Sequence, residues 1–74
     1  MKLKMENLKT IRKERKLTRK QLSVLSGVNV NTIQALEEGL TNIANVKLST
    51  LIALSKALRV KAKRLLPSDL AKGL

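Results

Sequence analysis

Asn31 and Gln34 stand three residues apart, with Val30 and Ala35 flanking them. Residues at that separation are neighbours on a helix surface. With Ile33 and Leu36 turned inward at helical spacing, Val30, Asn31, Gln34 and Ala35 become the outward positions of a helix over residues 30–37. Their chemistry is hydrogen bonding and methyl contact, because no Lys or Arg stands among them. An Asn or Gln amide offers a donor and an acceptor together and can bond adenine at N6 and N7, while small apolar groups can pack on a thymine methyl. The plainer alternative is a solvated polar face. Other chemistries lack their residues. The chain has no His and no Cys, and its carboxylates Glu6, Glu14, Glu37, Glu38 and Asp69 show no spacing that sets several on one face as metal ligands. A glycine-rich phosphate loop is also missing. The expectation is therefore a binding module and not an enzyme, with no metal and no cofactor.

Such a reading face needs elements to hold it, and the segment from Leu17 to Gly39 supplies them. Thr18 and Gln21 form a T-x-x-Q capping box, in which each side chain satisfies a backbone N–H at a helix start. Leu17, just before the cap, can staple onto Leu22, and small Ser23 suits a close helix crossing. Gly27 provides the left-handed backbone that ends the first helix. Asn29 caps the second helix, Gly39 stops it, and Val28 in the turn packs beneath both. Two short helices joined by a tight turn are a helix-turn-helix, a unit that places its second helix in the DNA major groove.

Charge agrees with a polyanionic partner. The 74 residues carry 16 Lys and Arg against 5 Asp and Glu, a net charge of +11. Every cation lies between Lys2 and Lys20 or between Lys47 and Lys72, so the expected reading helix is neutral apart from Glu37 and Glu38 at its far end. Attraction must come from its surroundings. An amphipathic membrane helix would set aromatic residues beside its cationic face, and the chain has none. RNA is disfavoured for the same reason, since bases have no aromatic platform on which to stack. No apolar run approaches the roughly 20 residues of a membrane span, and no signal peptide is evident. Absence of Cys fits a reducing, cytoplasmic setting.

The ordered set of capped Thr18, Leu22 with Ser23, Gly27, Val28, Ile33, Leu36, Glu37 and Gly39 resembles the phage-repressor and Cro-like, or XRE, family of helix-turn-helix DNA-binding domains. Residues 6–18 and 48–67 resemble the family's flanking helices, so the likeness covers about residues 6–67. It implies an all-α fold of five helices, lambda-repressor-like. Their expected spans are Met5 to Arg15, Arg19 to Leu25, Val30 to Glu37, Lys47 to Leu58 and Lys61 to Leu66, with Pro67 ending the last and a tail over 68–74. Residues 1–74 are read as one domain. Leu8 with Ile11, and Leu51 with Leu54 and Leu58, form the buried faces of the first and fourth helices. The sequence departs from the family between Gly39 and Thr50, which is longer than usual and lacks the Pro-Ser start of the fourth helix; Asn45 is the expected substitute cap.

By the same resemblance, Val30, Asn31 and Ala35 meet base edges, with Gln34 nearby. Arg19 in the first turn of the second helix touches backbone phosphate, joined by Thr18, Lys20, Asn29 and Thr32, and by Asn42 and Lys47 from the loop. Arg12 and Glu37 form a structural ion pair. The implied activity is that of a sequence-specific double-stranded DNA-binding transcriptional regulator, a repressor acting as a homodimer on a palindromic operator. No small-molecule ligand is expected. Leu65, Leu66 and Leu70 are expected at the dimer contact. An antitoxin that represses its own toxin–antitoxin operon and a protein-interaction adaptor on the same fold are the alternatives.

Overall fold

The structure is a computed structural model that describes residues 5–41 and 45–66. The described residues contain four α-helices and a 3-10 turn after the last of them, with no strand among them. Helix α1 spans Glu6–Glu14 and buries Leu8, Ile11 and Arg12 along one stripe. Met5 is its N-cap, not its first residue. The Met5 side chain is fully buried, and the Met5 backbone N–H donates to the Leu36 carbonyl at 3.0 Å, which ties the start of α1 to the helix that holds Leu36.

Helix α2 spans Arg19–Ser26 and starts with both bonds of the capping box. The Gln21 N–H donates to Thr18 Oγ1 at 3.0 Å, and the Thr18 N–H donates to Gln21 Oε1 at 2.8 Å. Gly27 ends it at φ +76°, and a Cβ there would meet nothing within 4 Å, so the need for glycine at this turn is conformational only. Helix α3 spans Val30–Glu38. Asn29 Oδ1 accepts from the Asn31 N–H at 2.8 Å to cap it, and Gly39 ends it at φ +71°.

Helix α4 spans Leu48–Leu58 and buries Leu54, Ser55 and Leu58. Its N-cap is Lys47, without a side-chain cap bond, so the expected cap at Asn45 is not made. At the other end Arg59 takes the left-handed conformation at φ +59°, and Arg15 Nε donates to the Leu58 carbonyl at 3.2 Å, satisfying one of the orphan acceptors of the last turn. The expected fifth helix is a 3-10 turn, Ala62–Leu65. Between left-handed Arg59 and extended Leu66 too few residues remain to repay helix nucleation, and Leu66 precedes Pro67, which disfavours helical backbone there.

Helix α2 packs on α3 and α4, while α1 packs on α3 and on the 3-10 turn, which in turn covers α4. Met5, Leu8, Leu22, Ile33, Leu36, Leu54, Leu58 and Leu65 close the core, with Leu17, Val28 and Leu51 packed against it. Leu65 is thus a core residue and offers no surface to a dimer, Leu66 is half-buried, and Leu70 lies outside the described residues, as does the tail. Among the described residues no helix is long and apolar enough to cross a membrane.

Candidate nucleic-acid interface

Helix α3 turns Ile33, Leu36 and Glu37 into the protein and leaves Val30, Asn31, Thr32 and Gln34 exposed, with Ala35 half-buried. Capping orders the first turn: because Asn29 Oδ1 is used on the Asn31 N–H, the Asn29 amide nitrogen stays available as a donor. The Asn31 side chain is exposed. Gln34 Nε2 reaches Glu38 Oε2 at 3.5 Å, one helical turn on. A carboxylate only accepts, so that contact leaves Gln34 Oε1 as the outward group.

Beneath this face lies an ion-pair cluster that holds α3 to its scaffold. Arg12 Nε donates to Glu37 Oε2 at 2.7 Å and Arg12 Nη2 donates to Glu37 Oε1 at 3.0 Å, a bidentate pair, while Nη1 donates to the Leu17 carbonyl at 2.8 Å. One side chain therefore joins α1, the loop before α2 and the end of α3. Burial pushes the Glu37 carboxyl up, but the hydrogen bonds and charges of Arg12 and Arg19 outweigh it and hold its pKa below the ordinary carboxylate range.

Arg19, expected on backbone phosphate, also engages α3. Its Nε donates to Glu37 Oε1 at 3.0 Å and its Nη2 lies 3.5 Å from Glu38 Oε1, which anchors the partly exposed guanidinium to the end of α3. Resemblance had pointed to one arginine for Glu37; the structure supplies two. As a result the Glu37 carboxylate is compensated from within the protein, and Glu38 has the Arg19 guanidinium 3.5 Å away.

The other expected phosphate residues fall in two places. Asn29 and Thr32 share a depression with Ser49 and Thr50 from the start of α4, and Thr32 and Lys47 share the adjoining one, again with Thr50. Ser49 and Thr50 were not singled out in the sequence. The N-terminus of α4, lacking a side-chain cap, contributes first-turn N–H groups to that rim. Thr18 and Lys20 lie at the start of α2, both exposed. Asn42 lies outside the described residues. No group of three or more acidic side chains among the described residues could hold a metal ion.

A profile of the family described as helix-turn-helix matches residues 8–65, which takes in α1 through the 3-10 turn and so the whole of this arrangement. The chain belongs to the XRE-type helix-turn-helix family. It is a DNA-binding transcriptional regulator of that family. Among solved structures, the restriction-modification controller protein C.AhdI from Aeromonas hydrophila superimposes with a TM-score of 0.75 at 26% identity, over 84% of this chain and 89% of that one. No curated protein sequence matches the chain at a significant level.

Proposed function

We propose that this helix-turn-helix regulator reads a palindromic operator as a homodimer and represses transcription from it, acting in the cytoplasm without a small-molecule ligand. The observation that carries the reading is the exposed, uncharged face of α3, clamped from below by Arg12 and Arg19 and flanked by cations on the neighbouring elements. Val30, Asn31, Gln34 and Ala35 meet base edges, with amide groups suited to adenine and apolar groups suited to thymine methyls, so the half-site contains A·T pairs. Thr18, Arg19, Lys20, Asn29, Thr32, Asn42 and Lys47 supply backbone contacts, Arg19 from a guanidinium that also holds Glu37.

Dimensions favour two copies. The longest extent of the described residues is 29 Å, whereas major-groove half-sites on one face of a duplex recur every ~34–36 Å. One α3 therefore serves one half-site. Likeness to a restriction-modification controller favours, as a second reading of the regulated target, genes of a restriction-modification system. Selection of bound sequences from a random duplex pool, followed by stoichiometry on the winner, tests the proposal. A dyad-symmetric site taking two chains supports it, and an asymmetric site taking one chain, or no enrichment at all, refutes it.

A further inference from the structure

Contiguous exposed apolar surface on a small protein marks an interaction site more often than scattered single residues do. Here it concentrates on α2 and α4. Val24 and Leu25 are 77% and 61% exposed at the end of α2, and Leu48 and Ile52, one turn apart on α4, are 68% and 39% exposed. Leu25 and Ile52 line one shallow groove together with Ala53 and Ala57, with Ser26 and Ser49 as its polar members beside Lys56. Leu25 and Val24 also line a second groove that reaches Leu17, so the two join into one strip through Leu25. None of these residues belongs to α3.

Charge decides what fits the strip. Neither α2 nor α4 contains an Asp or Glu, and no acidic residue occurs between 15 and 36 or between 39 and 68. The only ionisable side chains lining the two grooves are Lys56 and Lys20. Their positions at the rim of an apolar floor are the complement of an amphipathic helix that carries leucine-like anchors at i, i+4 and i+7 between acidic residues. A second copy of this chain is a poor occupant of this strip: the apolar helices it would bring, α2 and α4, carry no acidic residue to meet Lys20 and Lys56, and its Glu37 and Glu38 are already paired with arginines. We infer that the strip across α2 and α4 docks an acidic amphipathic helix of another protein.

The test uses the full chain, isotope-labelled, and a synthetic helical peptide with Leu at i, i+4 and i+7 and Glu at its polar positions. A matched peptide with Lys in place of Glu is the control. Expected are amide shifts confined to the second half of α2 and the outer face of α4 with the Glu peptide alone. Leu25→Asn, Ile52→Asn and Lys56→Glu should each weaken binding about tenfold, while Leu25→Asn and Ile52→Asn leave duplex binding and the melting temperature as in the parent. The inference is overturned by shifts spread over the whole basic surface, or by equal binding of the Lys peptide. It also fails if the peptide perturbs nothing, or if the chain sediments as a dimer that Ile52→Asn dissociates, which would give the strip to a second copy. Because the readout needs no operator, its failure is separable from failure of the DNA reading.

Discussion

Arg12→Ala should bring the protein close to its stability limit. The side chain donates to Glu37 twice, at 2.7 and 3.0 Å, and to the Leu17 carbonyl at 2.8 Å, while the Glu37 side chain has no solvent exposure. Removing one partner of a buried pair costs about 3–5 kcal/mol, because the remaining charge cannot return to water. Arg19 still donates to Glu37 at 3.0 Å, which keeps the loss near the lower end, about 3 kcal/mol. The abandoned Leu17 carbonyl adds about 1 kcal/mol. A chain of this length has roughly 4–11 kcal/mol in total, so about 4 kcal/mol is a large share of it. At about 4–8 °C per kcal/mol for a domain of this size, the melting temperature should fall by about 16–32 °C. With no Trp, Tyr or Phe to report by fluorescence, far-ultraviolet circular dichroism is the suitable assay. Replacing both partners, as Arg12→Met with Glu37→Leu, should recover much of the loss, since an apolar pair of similar volume carries no desolvation penalty. A fall of less than about 5 °C for Arg12→Ala would refute the argument that this cluster clamps α3.

Since the folded-state pKa of Glu37 is depressed from 4.5, its stabilisation is complete above that value and fades as pH falls through the folded pKa; acid titration of the melting temperature should show this decline, and Glu37→Gln should flatten it. Gly27→Ala should cost about 1–2 kcal/mol in thermal denaturation through its left-handed backbone alone, and Gly27→Asn less, because the space around the site is open. Arg59→Gly should raise stability by up to about 1 kcal/mol, relieving a left-handed non-glycine at the end of α4, and an unchanged or lower melting temperature would contradict the strain there. Lys20→Ala should lower the magnitude of the salt slope of DNA binding by about one without moving the melting temperature, whereas Arg19→Ala should lower both stability and affinity.

What could be read in the sequence was local. The capping box at Thr18 and Gln21, the glycine stops at Gly27 and Gly39 and the Asn29 cap each depend on residues within one turn of one another, so their types and spacing suffice. What could not be read depends on distant partners or on competition between weak local preferences. Nothing near Arg19 in sequence says that its guanidinium meets Glu37 rather than solvent; only the packing of α2 on α3 decides it. The 3-10 turn replaces a fifth helix because the stretch after Arg59 is short and ends at Leu66 before Pro67, a balance that periodicity does not weigh. Leu65 looks like surface in a row of lysines and arginines, yet the turn swings it inward against α1 and α4. The start of α4 lacks a side-chain cap altogether, so no cap residue could mark it.

The central claim is that the exposed face of α3 reads sequence, and Asn31 tests it most directly. It lies in the first turn, is exposed, carries no charge and presents both a donor and an acceptor. Binding of the parent and of Asn31→Ala should be measured against every single-base variant of the selected operator at one fixed salt concentration. Asn31→Ala should lose about 1–3 kcal/mol on the preferred site and relax preference at one base pair in each half-site, with non-specific affinity unchanged because no counterion is released. A preference profile identical to the parent's at every position would contradict it.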